Sequence, residues 1–194
     1  MKRPLVLLGG GGHCKSVIDA AESAGFAILG ILDLREKVGQ EILGYKILGT
    51  DDDIPAYADK ADFVLTVGQI LSSGVRRKLA GKVQDAGGRF ATVIASDAYV
   101  SKYAQIGEGT VVLHKAFVNA GARIGRHGII NTMANIEHDA QVGDFCHIST
   151  GTMVNGETRI GDDCFVGSGC VLFNCISISD NTIVPAGSVV KKTI

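Results

Sequence analysis

The side chains best suited to chemistry in this sequence are five histidines, at positions 13, 114, 127, 138 and 147. A neutral imidazole can take a proton from an attacking amine or hydroxyl, and a nearby carboxylate fixes its tautomer and raises its basicity. His138 has that surrounding, with Glu137 before it and Asp139 after it in Asn135-Ile136-Glu137-His138-Asp139. Adjacent residues of a strand point apart, so pairing His138 with Asp139 requires a corner or turn at this place. On residue chemistry alone a plain surface histidine is the commoner outcome, and His114 and His127 are read in that way. His147, in Phe145-Cys146-His147, is placed outside the core on the next face.

A second chemical feature opens the chain. The run Gly9-Gly10-Gly11-Gly12-His13 follows a strand-like stretch, Pro4 to Leu8, and precedes an amphipathic helix carrying Val17, Ile18, Ala21 and Ala24. A glycine-rich turn between strand and helix lets a phosphate approach the backbone and meet the helix N-terminal dipole. Asp33 ends a second strand, 27–32, where an acid can accept hydrogen bonds from ribose hydroxyls. A third strand is expected over 61–67, ending at Gly68, and a helix over 72–86 with Val75, Leu79 and Val83 inward. Between the second and third strands Thr50 and Asp51 to Asp53 can cap a short helix before Pro55. The tetraglycine by itself is equally compatible with a tight turn that binds nothing. Alternating strands and helices predict a small α/β domain with a short parallel sheet over residues 1–90, roomy enough for a mononucleotide.

The elements that must carry His138 follow from a repeat. From Ile94 to Val190 every sixth residue is Val, Ile or Leu, seventeen times without a slip. The residue four places later is small at nearly every step, from Ala98 through Thr110, Gly128, Cys146 and Cys170 to Ser188, with Ile176 the exception. A spacing of six fits neither one face of an α-helix nor a single strand, whereas one large and one small inward residue per six suits short strands stacked in coils. Residues 91–194 are therefore expected to form an all-β parallel β-helix without inserted loops. Glycines that follow the aliphatic residue, such as Gly107, Gly125, Gly143, Gly161 and Gly167, are read as supplying backbone conformations closed to other residues. Cys146, Cys164 and Cys170 fall in the small inward register, as core residues rather than nucleophiles.

Composition narrows the rest. A net charge of −1 gives no electrostatic reason to expect nucleic acid or an anionic membrane as partner. No apolar run reaches the roughly 18 residues of a membrane span, and Lys2 and Arg3 lead directly into a strand, so a cytoplasmic location is the expectation. The five cysteines are odd in number and contain no CxxC pair, which points to neither a disulfide frame nor a zinc site. The 24- and 9-residue separations of His114, His138 and His147 also fail to match the three-histidine zinc site of β-helical carbonic anhydrases, and no metal is expected.

Taken together, the glycine-His13 turn, Leu32-Asp33, Val67-Gly68, the unbroken six-residue repeat, Ile136-Glu137-His138-Asp139 and Phe145-Cys146-His147-Ile148-Ser149 closely resemble the sugar acetyltransferases of the sialic-acid and bacillosamine pathways. The resemblance spans essentially the whole chain. It implies a left-handed β-helix, a homotrimer with acetyl-CoA between neighbouring helices, and N-acetylation of a nucleotide-linked, UDP-type 4-amino-dideoxy sugar. It further implies that His138 is the general base and Asp139 the acid that supports it. Gly11, Gly12, His13, Asp33, Leu34 and Gly68 would hold the nucleotide sugar, and His147, Gly156, Ser168 and Ala186 would line the acetyl-CoA side. Asp139 stands where some members have Glu, and residues 191–194 lack the Gly-x-Pro-Ala-basic motif that many carry near the CoA adenine. An O-acetyltransferase acting on sialic acid, or a non-catalytic trimeric scaffold that binds a nucleotide, would show the same architecture.

Overall fold

The computed structural model describes residues 2–194. Strand β1 (Leu5–Leu8) is buried along its whole length and is followed by helix α1 (Gly12–Ser23), whose Val17, Ile18 and Ala21 face inward. Next come β2 (Ile28–Leu32), β3 (Glu41–Ile42), β4 (Tyr45–Gly49), β5 (Asp62–Leu65) and helix α2 (Gly74–Asp85). The sheet order is β3-β4-β2-β1-β5, parallel except for the β3–β4 hairpin. The sheet thus has two strands more than the three expected. Their turn places Leu43 at φ 49° beside Gly44 at φ 84°, and a leucine in the left-handed region leaves no recognisable sequence signal. Thr50 caps a short 3-10 helix, Asp51–Ala56, which runs through Pro55 instead of stopping before it. In α2 the expected inward face is rotated by one residue at its start. Val75 is exposed, and Arg76 is buried beside Leu79 and Val83.

From Val93 onward two-residue strands recur every six positions and stack in parallel on strands eighteen residues away. Three faces result. The first carries Val93, Val111, Ile129, His147, Phe165 and Ile183 outward; the second Tyr99, Phe117, Asn135, Met153, Val171 and Val189; the third Gln105, Arg123, Gln141, Arg159 and Ser177. The aliphatic residues of the repeat and the small ones fill the interior as one cluster, and each buried aliphatic side chain contributes roughly 1.5–3 kcal/mol. This is the parallel β-helix that the period predicts, with the left hand that the family resemblance implies. The small inward site has a polar use too. Thr110 Oγ1, Thr152 Oγ1, Cys146 Sγ and Cys170 Sγ each donate to a carbonyl fifteen residues later, at 2.7, 2.9, 2.9 and 3.0 Å.

The corners correct the reading of the glycines. Left-handed backbone falls on the third residue after the aliphatic, at every sixth position from Gly109 to Gly187, and nine of these corner residues are not glycine, among them His127, Asp139 and Phe145. The glycines immediately after the aliphatic have no positive φ. They are required for space: a Cβ on Gly143 would sit 2.7 Å from the Gly161 carbonyl carbon and 2.8 Å from Asp162 N, and one on Gly107 would sit 2.5 Å from the Gly125 carbonyl carbon.

The first 90 residues pack on the first face. Leu5, Leu7, Val17 and Ile18 share a core with Val93, Val111, Leu113 and Ile129. At the corner leading into that face, Arg77 pairs with Asp163 through two 2.7 Å bonds, Ser73 Oγ donates to the same carboxylate, and Gln69 Nε2 donates to Phe145 O at 2.7 Å.

Candidate functional site

His138 lies at the corner between the second and third faces, exposed, with Nδ1 3.0 Å from Asp139 Oδ2. The corner makes the pairing possible. Asp139 has φ 58°, which swings its side chain to the same side as its neighbour's, so the shorter acid reaches the imidazole. The hydrogen bond to Asp139 holds the His138 pKa above its ordinary value, with the charges of Asp139, Glu137 and Glu157 acting in the same direction. Asn135 and Asn119 donate to Glu137 at 3.0 and 2.7 Å and keep its carboxylate ionised. With Nδ1 occupied by the carboxylate, Nε2 is the nitrogen left to accept a proton. Gly156, one coil further, floors the ring: a Cβ there would lie 2.7 Å from His138 Nε2 and Cε1. Gly121 leaves the corresponding room for the Asp139 carboxylate from the coil before.

The other residues gather against the first face. A cleft of about 420 Å³ is lined by Gly9 to Gly12, His13, Asp33, Leu34, Lys37, Val67, Gly68 and Val75. Its glycines divide into two pairs. Gly9, at φ 109°, abuts Val67, and a Cβ on Gly10 would lie 2.7 Å from Ile42, so packing explains both; around Gly11 and Gly12 there is open space, and their bare backbone leaves the helix start accessible. Asp33 is already engaged, accepting from Gly10 N and Leu34 N at 2.8 Å and Lys37 Nζ at 2.9 Å, which keeps its pKa low despite burial. It holds the glycine turn, with one lone pair of Oδ1 left open toward the cleft. Gly12, His13 and Gly68 also border a larger cleft of about 890 Å³ that continues to Gln69, Asn131, Thr132, His147 and Thr150.

His147 points outward from the β-helix as expected but is buried beneath the N-terminal segment. Its Nδ1–H donates to Gln69 O at 2.6 Å and its Nε2 accepts from Asn131 Nδ2 at 2.9 Å, a pair of bonds that fixes the neutral form. His127, expected on the surface, is likewise buried, edge-on to Phe90 and tilted against Phe145. Its place at the corner under the N-terminal segment explains this, since that segment covers what the isolated repeat would expose. His114 is half-buried and bridges Asp97 at 2.6 Å and Asp19 at 3.3 Å. Burial first, with the Arg76 charge adding to it, depresses His13 to about 3 and His127 and His147 to about 4. Between pH 6.5 and about 4 the unfolded chain therefore binds protons that the folded chain refuses, and stability falls as pH drops. The expected result is a thermal midpoint that declines steeply through this window; a flat profile from pH 6.5 to 4 would contradict it.

Within one chain the two groups do not meet. His138, Asp139 and Gly156 occupy the edge opposite the first face, whereas Gly11, Gly12, His13, Asp33, Leu34, Gly68 and His147 surround the clefts on that face. Ser168 and Ala186 stack one coil apart at the remaining corner, exposed, beyond Thr132 and Thr150, with Ser168 Oγ 2.9 Å from Ser149 Oγ. The sequence reading missed Gln69, Asn131 and Arg76, whose positions depend on the packing of the N-terminal segment on the β-helix. No three His, Cys, Asp or Glu side chains among the described residues converge as metal ligands, and no helix among them is long and apolar enough to cross a membrane.

Comparison with known proteins accords with this geometry. Residues 4–83 match the PglD N-terminal domain, residues 139–174 the bacterial transferase hexapeptide, and residues 157–192 the hexapeptide repeat of succinyl-transferase. No curated protein matches in sequence. Among solved structures, the acetyltransferase domain of PglB from Neisseria gonorrhoeae is 31% identical over 100% of this chain and 93% of its own, with a TM-score of 0.92. PerB from Caulobacter crescentus, in complex with CoA and GDP-perosamine, is 30% identical over 98% of this chain and 90% of its own, also with a TM-score of 0.92. WeeI from Acinetobacter baumannii, at 23% identity and a TM-score of 0.88, shares the fold. The chain belongs to the family of left-handed β-helix sugar N-acetyltransferases in which a PglD-type N-terminal domain precedes the hexapeptide repeats.

Proposed function

We propose that this chain transfers the acetyl group of acetyl-CoA to the amine of a nucleotide-linked, UDP-activated 4-amino-dideoxy sugar, with His138 as general base and Asp139 as the acid that supports it. The observation that carries the reading is the exposed His138–Asp139 pair on a left-handed corner, its Nε2 free above Gly156. The relatives supply the substrate class: one PglB structure is a complex with acetyl coenzyme A, and PerB is in complex with CoA and a nucleotide amino sugar. In this chain the open backbone of Gly11 and Gly12, with His13, Asp33, Leu34 and Gly68, fits the nucleotide. His147, Gly156, Ser168 and Ala186 are assigned to the acetyl-CoA side.

The chemistry is direct attack. The amine nitrogen bonds to the thioester carbon, the carbon–sulfur bond breaks, and the proton shed by the amine passes through His138 Nε2 to the departing thiolate. Holding amine and thioester together supplies much of the acceleration by proximity. Cys146, Cys164 and Cys170 are buried inside the prism and take no part.

Because His138 and the nucleotide cleft lie on opposite sides of one chain, the reading requires a second copy to complete each site. A homotrimer does this, and the second face, with Tyr99 stacked on Phe117 at 4.8 Å and with Met153 and Val189 exposed, is apolar enough to pack against another copy. The test is free-thiol release from acetyl-CoA with UDP-, GDP- and dTDP-linked 4-amino sugars beside free sialic acid. Turnover with the UDP-linked sugar is expected; turnover with the GDP- or dTDP-linked sugar alone would replace uridine with that nucleoside and leave the role of His138 standing, and turnover with sialic acid alone would make the enzyme an O-acetyltransferase.

A further inference from the structure

Arg76 is the largest of the fully buried side chains, at 1% exposure, and no carboxylate among the described residues pairs with it. Its Nη1 donates to Leu65 O at 3.2 Å and Val67 O at 2.6 Å, its Nη2 donates to His127 O at 2.7 Å, and its Nε has no partner. Burying a guanidinium without a counter-charge is costly, and a fold that keeps one has a use for the charge. An imidazole carries no negative charge to offset it, and burial together with the Arg76 charge holds His13, His127 and His147 neutral, so they do not add to the positive charge. Burial lowers Arg76 itself only to about 9, so it stays charged at neutral pH.

Its location suggests what the charge serves. Val67, whose carbonyl it binds, touches Gly9 and leads into Gly68, and all three line the nucleotide cleft. Of the other cations near that cleft, Lys37 is matched with Asp33, Arg77 with Asp163, and Lys82 with Asp51 and Asp52, while Lys78 lines an adjoining pocket that shares Gly9, Asp33 and Val67 and stands at its solvent side rather than behind its wall. Arg76 thus sits one residue behind the wall as an unneutralised positive charge in a medium of low dielectric, where its field is least screened. The same guanidinium pins the end of β5 to the β-helix at His127, which fixes the cleft edge relative to the repeat.

We infer that Arg76 is a positioning residue for the diphosphate of the nucleotide sugar, acting from behind the Val67–Gly68 edge by its uncompensated charge and not by direct contact. The inference rests on the nucleotide-binding reading above. It is tested by titrating the full-length protein with UDP and GDP and, separately, by nuclear magnetic resonance with the matching nucleoside. Arg76→Met is expected to weaken diphosphate binding ~10-fold while leaving the nucleoside within about twofold. Arg76→Lys loses the three-carbonyl fork, and the burial that lowers Arg76 to about 9 brings an ammonium in the same place toward neutral pH, so relative to the parent it is expected to restore most of the diphosphate affinity at about pH 6 and to approach the methionine variant at about pH 8.5. Equal losses for diphosphate and nucleoside, or a lysine variant no better than methionine at about pH 6, would reduce Arg76 to a structural strut. If Arg76→Met does not fold, as judged by circular dichroism, the lysine variant decides alone: a tenfold loss of diphosphate affinity in it at about pH 6 overturns the inference. A parent protein that binds neither UDP nor GDP overturns the nucleotide reading itself, whereas binding that survives Arg76→Met overturns this inference only.

Discussion

His138→Ala is expected to lower kcat by about 10²- to 10⁴-fold, the range a positioned general base contributes, while the thermal midpoint stays at the parent value. Stability is spared because the side chain is exposed and, among the described residues, Asp139 is its only polar partner. The pH profile adds a second, independent readout. A base must be neutral to act, and Asp139 holds the His138 pKa above its ordinary value, so log kcat/KM should climb with pH through that raised pKa. Asp139→Asn removes the carboxylate, and the climbing limb should move to lower pH with a slower plateau. Gly156→Ala probes the floor of the ring: its Cβ would meet Nε2 at 2.7 Å and should displace the imidazole, reducing kcat without altering the unfolding midpoint. Retention of kcat within threefold in His138→Ala would remove this residue from the base role.

Gly143→Val is expected to cost about 3 kcal/mol or more, as overpacking does when backbone rather than a flexible side chain stands in the way. The new Cβ would lie 2.7 Å from the Gly161 carbonyl carbon and 2.8 Å from Asp162 N, in the next coil. Neither atom can retreat without breaking the ladder between Gln141–Val142 and Arg159–Ile160. For a chain of this size the thermal midpoint should drop by roughly 6–12 °C. Gly151→Ala is a useful companion. That glycine is at φ 65° with nothing within 4 Å, so alanine pays only the left-handed backbone cost of about 1 kcal/mol, as the nine other corner residues already do. Equal losses in the two variants would mean that conformation, not coil spacing, governs these glycines.

The β-helix was legible because its pattern is one-dimensional. Each coil touches the next, so Ile94 to Val190 spell out the interior in chain order, and the inward cysteines follow from register alone. The His138–Asp139 pair was legible as chemistry, but its geometry depended on a left-handed corner that Asp139 shares with Lys115, Met133 and Glu157. No composition rule marks those positions, since the corner is imposed by the stacking and not chosen by the residue. The fates of His127, His147, Val75 and Arg76 were illegible for a different reason. They are decided by packing between segments distant in the chain: α2 bears on the corner at His127 and Phe145 through Arg76 and Arg77, and the loop before α2 covers His147. Local periodicity carries no information about such a contact.

The eighteen-residue register between stacked strands makes the prism a ruler. Removing or adding one whole coil keeps every side chain on its own face and shifts all later corners along the axis by one strand spacing, about 4.8 Å. A change of six residues instead moves each later corner to the next edge. The axial distance between the clefts beside the N-terminal segment and the histidine edge is therefore available only in discrete steps of one coil, and no smaller insertion can adjust it without moving the histidine to another edge.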